Sequence, residues 1–365
     1  MNTLPQMEFP LDKIELELLY VGTEAPQGEN RAAKAAAEAV NPPKTMHPPQ
    51  AEPLPKTGAA YTELSFPPAP AERPYLISSV VLSADGKMAF EDVSDGPAIA
   101  KQNCFDPDGA LADFWILNAL RASSDAVIIG AGTLNTEPTT SGHILDPELI
   151  EQRLACRRAV EQAMAARGER AGDDAERGEV KLAALNRRHP INFVVSFDGT
   201  DIPANHFLFN IDPVEQLPVA IMTSPAGGDY LQANFSRPVH IYDGSASQSA
   251  ILRDLDPASG VVPVITTGSE NRPDTREFLA LIRRLGLQLV LVESPTYTSH
   301  LMQLGCMDEA FVNYSMIYAG GMLSPGRGLP FTHDSHPHVK LQAVALHSAS
   351  FIYTRQRLYY GIGEG

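Results

Sequence analysis

The chain has 365 residues, of which 44% are hydrophobic and 20% are charged, a balance that predicts a soluble globular protein with one substantial core. Its 44 acidic residues outnumber its 28 Lys and Arg residues, and the formal charge of −16 makes nucleic acid and anionic membrane surfaces poor partners. No stretch resembles a signal peptide or a membrane span, so we expect a cytoplasmic protein. Cys104, Cys156 and Cys306 are scattered, so we expect neither a disulfide framework nor a bound metal.

Residues 1–72 are expected to form an N-terminal arm and a linker. Ile14, Leu16, Leu18 and Leu19 predict a short strand or an amphipathic arm that packs on the main domain. From about residue 21 to residue 72 the sequence is rich in Pro and Ala, which keeps the backbone extended and predicts a linker. Residues 73–365 are then expected to form a single domain.

Alternating strands and helices begin after this linker. Tyr75–Leu82 predicts a strand, Phe114–Leu120 is apolar at helical spacing, and Asp125–Ile129 predicts a second strand. A helix between two strands is a βαβ unit. Residues 146–189 are dense in Ala, Glu and Arg, which predicts an inserted, solvent-exposed helical hairpin.

The second half of the chain predicts further strands and two helices. The first helix is the amphipathic Arg276–Leu285, closed by Gly286, and a buried strand, Leu287–Val292, follows it. Ser294 as an N-cap and Pro295 at the first helical position then predict a helix that runs to Gly305. The other predicted strands are Ile191–Val195, Val219–Met222, Val239–Tyr242, Val261–Ile265, Ala310–Met316, Leu341–Leu346 and Phe351–Leu358, the last group antiparallel. The sequence therefore predicts an α/β fold with a mostly parallel central sheet, flanking helices and antiparallel C-terminal strands.

Three of the predicted strands lead into short loops of chemically useful residues. These loops are Ser83-Ala84-Asp85-Gly86-Lys87, Gly130-Ala131-Gly132-Thr133 and Glu293-Ser294-Pro295-Thr296-Tyr297. Parallel strands bring their carboxyl ends to one edge of a sheet, where helix N-termini and free backbone N–H groups collect on a bound anion. Three such loops predict a site for a nucleotide and a small polar substrate.

Each loop also has a plainer interpretation. The glycine turn lacks the third glycine of a dinucleotide fingerprint, since Asn135 stands there, and alone it describes a tight strand–helix connection capped by Thr133. An Asp85-Gly86 pair by itself is most often an ordinary turn. Glu293 is the sharper signal, because a carboxylate directly after a buried strand needs a partner or a function.

Taken in order, these pieces resemble the reductase domain of the riboflavin-biosynthesis deaminase/reductase (RibD) family, which has a dihydrofolate-reductase-like fold. The resemblance spans about residues 73–360. The matching motifs are Arg73-Pro74-Tyr75, Ser83–Lys87, Leu120-Arg121-Ala122, Asp125-Ala126-Val127 with Gly130–Leu134, Val194-Val195-Ser196, Val292-Glu293 with Pro295-Thr296, Asp308-Glu309 and Gly320-Gly321.

The resemblance implies NADPH as cofactor and hydride transfer to a pyrimidine- or pterin-like heterocycle. It implies that the cofactor contacts Leu82, Gly130, Ala131, Gly132, Thr133, Ser196, Ser294, Pro295, Thr296 and Tyr297. Asp85, Arg121 and Glu293 would lie on the substrate side, with Asp85, Lys87 and Glu293 as candidates for proton relay and charge stabilisation. Relatives are often homodimers, so we expect a homodimer.

One departure from the family keeps alternatives open. The residues after Glu137-Pro138 read Thr139-Thr140-Ser141-Gly142-His143, without the arginine with which relatives hold the substrate phosphate. The deaminase half with its zinc motifs is also absent. The alternatives are therefore a substitute dihydrofolate reductase and a non-catalytic nucleotide-binding module.

Overall fold

Short runs rich in Val, Ile and Leu form the strands of a large sheet in this computed structural model. The structure describes residues 3–22, 64–93, 95–166, 182, 185, 188–211, 216–326 and 328–361. Among them the strands are β1 (Glu17–Val21), β2 (Tyr75–Ser83), β3 (Ala126–Gly130), β4 (Ile191–Val195), β5 (Val219–Thr223), β6 (Val239–Tyr242), β7 (Val262–Thr266), β8 (Leu289–Val292), β9 (Glu309–Ser315), β10 (His338–His347) and β11 (Phe351–Tyr359).

These strands form one sheet in the order β1-β10-β11-β9-β2-β8-β3-β4-β5-β7-β6. The neighbours from β9 to β6 pair in parallel, whereas β1, β10 and β11 add antiparallel pairings at one end. The predicted α/β class, with a mostly parallel sheet and antiparallel C-terminal strands, is therefore confirmed. The first closing strand, β9, has both characters: it is parallel to β2 and antiparallel to β11.

Helices cover both faces of the parallel part of the sheet. They are α1 (Ala98–Lys101), α2 (Gly109–Ser123), α3 (Ala131–Thr136), α4 (Pro147–Ala166), α5 (Pro225–Asn234), α6 (Gln248–Leu255), α7 (Thr275–Arg284) and α8 (Pro295–Gln303). Side chains of α2, α4 and α5 belong to one buried cluster, and those of α6, α7 and α8 belong to a second cluster on the opposite face. None of the helices that the structure describes is long and apolar enough to cross a membrane.

The N-terminal arm packs on the domain. Phe9, Ile14 and Leu16 are buried in the core, and β1 pairs with the outer edge of β10. A short strand and the packing of Ile14 and Leu16 therefore agree with the expectation, whereas Leu18 and Leu19 are exposed. The predicted linker falls mostly on residues 23–63, outside the described residues, but Phe66 near its end packs against the rings of Tyr75 and Phe311.

The inserted segment is less exposed than its composition predicts. Leu149 and Ile150 on the first turns of α4 are buried, and Arg153 donates to the carbonyls of Ala122 and Ser124 at 2.7 and 2.6 Å. Arg153 thereby caps the carbonyl groups at the end of α2. The expectation of a solvent-exposed first helix is therefore wrong over this half, and most of the predicted second arm lies outside the described residues.

Candidate active site at the carboxyl edge of the sheet

The predicted site loops all follow parallel strands at the same edge of the sheet. The loop after β2 holds Asp85 and Lys87, and the loops after β3, β4 and β8 begin at Ala131, Ser196 and Glu293. β8 lies between β2 and β3 in the sheet, and β4 lies on the other side of β3. The strand order therefore brings together loops that are as much as 208 residues apart in sequence, as Asp85 and Glu293 are.

The glycine turn and the start of α8 are in direct contact. The Glu293 backbone N–H donates to the Ile128 carbonyl at 2.8 Å, and a Cβ placed on Gly130 would lie only 2.6 Å from the Ser294 hydroxyl oxygen. A Cβ on Gly132, in contrast, would meet nothing within 4 Å. A glycine turn that is open on one side and closed by a hydroxyl on the other fits a diphosphate that approaches the backbone.

The other predicted cofactor residues lie at the ends of neighbouring strands and at the starts of α3 and α8. Ser294 is the N-cap of α8, its hydroxyl accepting the Tyr297 N–H at 3.4 Å, and Pro295 occupies the first helical position, as predicted. Thr296 is exposed and Thr133 half-buried, whereas Leu82, Ala131 and Ser196 are buried at the ends of their strands or the start of α3. The Tyr297 hydroxyl points to Thr275 on α7, at 3.4 Å.

Arg121 and Glu293 bind each other. The guanidinium donates from Nε and Nη2 to the two carboxylate oxygens at 2.7 and 2.6 Å, and its Nη1 donates to the His143 carbonyl at 2.9 Å. The side chains are only 4% and 11% exposed. Such a bidentate pair satisfies the buried charge of Glu293, which the sequence left without a partner. Two of the three predicted substrate-side residues therefore form one fixed unit beneath the edge of the sheet.

Asp85 is also held by hydrogen bonds, two of them from backbone groups. Its carboxylate accepts the Ser83 hydroxyl at 2.5 Å and the N–H groups of Ala319 and Gly320 at 3.1 and 2.8 Å. The Ser83 and backbone hydrogen bonds lower the pKa of Asp85 to about 2, so this carboxylate stays charged at neutral pH. Asp85 thereby joins the loop after β2 to the loop after β9. Lys87 is half-buried, and its side chain makes no ion pair or hydrogen bond with the described residues.

Glu137 is a site residue that the sequence argument missed. It follows α3 and lies close enough to Glu293 and Asp95 that their charges add to the effect of burial, which raises the pKa of Glu137 above its ordinary value. Arg121 opposes this shift. The signal was weak in the sequence, because Glu137 comes seven residues after the end of β3 rather than directly after it.

Two motifs that carry the family resemblance lie away from the site, where the strands begin. Arg73 forms a bidentate pair with Asp308 at 2.6 and 2.9 Å. Glu309 accepts the Tyr75 hydroxyl and the Arg355 Nε, each at 2.7 Å. These contacts join β2 to β9 and β11, so the motifs stabilise the sheet and do not contact the carboxyl edge.

A cavity of about 430 Å³ lies away from the carboxyl edge, between β6 and α6. Its buried carboxylate, Asp254, already accepts hydrogen bonds from Tyr242, His240 and Arg253 at 2.5, 2.6 and 2.8 Å. A carboxylate saturated in this way has a structural role, and the candidate site stays at the carboxyl edge. No cluster of three metal-ligating side chains occurs among the described residues.

Comparison with known proteins finds similarity of structure only. No family model and no curated protein matches the sequence. Similar solved structures include Acinetobacter baumannii RibD (16% identity, TM-score 0.46) and a Thermotoga maritima diaminohydroxyphosphoribosylaminopyrimidine deaminase/5-amino-6-(5-phosphoribosylamino)uracil reductase (15%, 0.44). A Corynebacterium diphtheriae pyrimidine reductase-like protein is a third (17%, 0.45).

The similarity covers 79%, 78% and 78% of this chain and 59%, 56% and 92% of the respective solved chains. This chain thus spans less than two thirds of the length of the first two proteins. The first of these structures bears the name of the family whose reductase domain the sequence motifs resemble. At such identities the likeness concerns the fold, so the site must be judged on its own geometry.

Proposed function

We propose that this protein is a reductase that transfers a hydride from a reduced nicotinamide dinucleotide to a pyrimidine- or pterin-like heterocyclic small molecule. The observation that carries the proposal is the contact between Gly130 and Ser294 at the carboxyl ends of neighbouring parallel strands. It joins a glycine turn with room for a diphosphate to a helix N-terminus that attracts negative charge. The family resemblance implies NADPH as the form of the cofactor.

The dinucleotide, when bound, supplies the hydride. The residues of this chain would bind and orient the reactants. The turn 130–133 and the start of α8 would hold the diphosphate, while Lys87 would offer a positive charge and a proton to the substrate as charge develops. Asp85 holds the Lys87 loop against residues 319–320, and Arg121 holds Glu293 in one orientation. In this proposal Asp85 and Arg121 act as positioning residues.

Binding and turnover can be tested separately with the purified full-length chain. Nicotinamide fluorescence and thermal unfolding are followed as NADH or NADPH is added, and absorbance loss is then followed with pyrimidine and dihydropterin substrates, dihydrofolate included. We expect one of the dinucleotides to bind and at least one heterocycle to be reduced. Failure of both dinucleotides to bind would contradict the proposal.

A non-catalytic nucleotide-binding module is the second candidate. It is favoured by the state of two proposed catalytic carboxylates: Glu293 is fully paired with Arg121, and Asp85 is bound to backbone N–H groups. Lys87 is then the remaining candidate among the three proposed catalytic residues. Dinucleotide binding without turnover on any pyrimidine or pterin would select this alternative.

A further inference from the structure

The loop after β4, residues 196–201, adjoins the glycine turn and is held rigidly by its own hydrogen bonds. Ser196 donates its hydroxyl to the Asp201 carboxylate and accepts the Gly199 N–H at 2.9 Å. Asp198 accepts the N–H and hydroxyl of Thr200 at 3.0 and 2.7 Å. The Asn135 side chain of α3 donates to the Asp201 carbonyl at 2.6 Å, which ties this loop to the glycine turn.

This loop carries negative charge with no cation nearby in sequence. Asp198 and Asp201 are both exposed, and the hydrogen bonds from Thr200 lower the pKa of Asp198, so it is ionised at neutral pH. From residue 189 to residue 236 the sequence contains no Lys and no Arg, and this stretch includes the loops after both β4 and β5.

One cation, Arg272, comes from the loop after β7. Burial lowers the pKa of His300 on α8, and the charge of Arg272 lowers it further. Arg272 therefore lies close to α8, which packs on the face of the sheet opposite to α3. Because Arg272 lies close to α8, it is the cation that an experiment should test as a ligand of the 2′-phosphate.

The position of the substrate residues sets the direction of a bound dinucleotide, and this step rests on the proposed function. With the diphosphate between β3 and β8, the nicotinamide must reach toward β2 and Lys87, so the adenosine extends the other way, over the loop after β4. There the ring of Phe197, 61% exposed, offers a flat apolar face for adenine. The glycine turn and Phe197 thus fit the diphosphate and adenine, whereas residues 196–201 contain no Lys or Arg for a 2′-phosphate.

We infer that Asp198 and Asp201 make this site select a dinucleotide with an unphosphorylated adenosine ribose, so that NADH binds more tightly than NADPH. A carboxylate accepts hydrogen bonds from the ribose hydroxyls, whereas a 2′-phosphate would meet two carboxylates instead of the arginine that such a group ordinarily needs. The inference concerns discrimination between two cofactors that differ in one phosphate, and it runs against the cofactor implied by the family resemblance.

The test measures dissociation constants for NADH, NADPH, NAD⁺ and NADP⁺ by fluorescence or calorimetry, so the result does not depend on turnover. We expect the wild type to bind NADH at least about tenfold more tightly than NADPH. The double variant Asp198→Asn/Asp201→Asn keeps the hydrogen-bond acceptors but removes both charges. We expect it to bind NADPH about tenfold more tightly than the wild type does, with no gain for NADH.

Two control variants sharpen the test. Asp243→Asn alters a carboxylate that accepts the N–H and hydroxyl of Ser245 just as Asp198 accepts those of Thr200. Asp243 follows β6, three strands along the same edge and about 14 Å away, where salt screens its charge. We expect Asp243→Asn, and likewise Arg272→Ala, to leave the preference for NADH unchanged.

The outcomes separate this inference from the function on which it rests. If neither dinucleotide binds, the proposed function fails and the inference fails with it. If NADPH binds as tightly as NADH, or if Arg272→Ala abolishes binding of NADPH alone, the reductase proposal stands and the inference is overturned.

Discussion

Two glycines of the turn after β3 differ in their surroundings. Gly130 lies against Ser294, so any side chain there disturbs the fold itself. Gly132 faces open space, so a side chain there is tolerated by the protein and meets only a bound ligand. The pair therefore separates the structural use of glycine from its use in binding.

Gly132→Val should weaken dinucleotide binding by about tenfold while leaving the free energy of unfolding within about 1 kcal/mol of the wild-type value. The valine side chain would occupy the space needed by the diphosphate. Fluorescence titration and chemical denaturation measure the two quantities. Gly244→Val is the matched control, because its Cβ also meets nothing within 4 Å but lies after β6. Unchanged affinity in Gly132→Val would refute the assignment of this turn to the cofactor.

The buried Arg121–Glu293 pair leads to a second prediction, which concerns the free energy of unfolding. Glu293→Gln should lower the free energy of unfolding by about 3 kcal/mol, because it leaves the guanidinium of Arg121 buried without its counter-charge. Denaturant titration measures this loss. If Glu293 also contacts the substrate, the folded variant should lose more turnover than dinucleotide affinity.

The double variant Arg121→Met/Glu293→Leu is the control for this pair. It removes both charges and should regain most of the lost stability. A single variant as stable as the wild type would mean that the pair is exposed to water, contrary to the structure.

At the scale of whole elements, α2 is joined to β9 by one buried polar contact. The Asn313 amide on β9 donates to the Asp113 carboxylate on α2 at 2.7 Å. The Asn313 carbonyl oxygen is buried without a partner among the described residues. Burial raises the pKa of Asp113 to about 6, so a protonated Asp113 could also donate to the oxygen that lacks a partner.

This contact should make stability depend on pH. The pKa of Asp113 is higher in the folded protein than in the unfolded chain, so the stability from its protonation is complete below about pH 4 and is lost as pH rises through about 6. Asp113→Asn should raise the free energy of unfolding at pH 7 by about 2 kcal/mol and flatten its pH dependence between about pH 4 and pH 7. Denaturation at a series of pH values measures both effects.

Asp334→Asn is the control for Asp113→Asn, because Asp334 lies in a surface loop with its side chain 95% exposed. It should change neither the stability nor its pH dependence. An Asp113→Asn variant that is less stable than the wild type at pH 7 would show that the charge of Asp113 stabilises the fold.

At the scale of the whole molecule, the antiparallel end of the sheet is unusually apolar for a surface. Leu18, Leu19, Tyr20 and Val21 of β1 are 42–54% exposed, and β1 is the outermost strand. Its outer edge therefore carries backbone groups without a strand partner among the described residues. An exposed apolar edge of this kind invites pairing with another strand.

The homodimer remains a prediction, and we propose that β1 pairs with β1 of a second copy, because antiparallel pairing of identical strands is self-complementary. Light scattering on a sizing column should give twice the monomer mass, and Leu19→Lys/Tyr20→Glu should yield monomers of unchanged secondary structure. Leu11→Lys, an exposed leucine outside β1, is the control. A monomeric wild type at micromolar concentration would contradict the proposal.

The sequence by itself determined the strands, most of the long helices and the strand ends at which the site loops lie. These features depend on local pattern: runs of Val and Ile, the N-cap Ser294 with Pro295, and Gly286 after α7, which has a positive φ of 101°. The parallel direction of the central strands could also be predicted, because helices connect them. The sequence overestimated the exposure of α4, because this helix has few apolar residues, but two of them, Leu149 and Ile150, lie on the side that meets α2.

Only the tertiary structure decided which charges meet. Arg121 and Glu293 are 172 residues apart, and Asp85 meets the backbone of residues 319–320, so neither contact leaves a trace in local sequence pattern. The same holds for Gly130 and Ser294, which become neighbours because β3 and β8 are adjacent in the sheet. Local sequence sets where a strand ends, but the packing of the whole chain sets which strand lies beside it, and the chemistry of the site depends on that second choice.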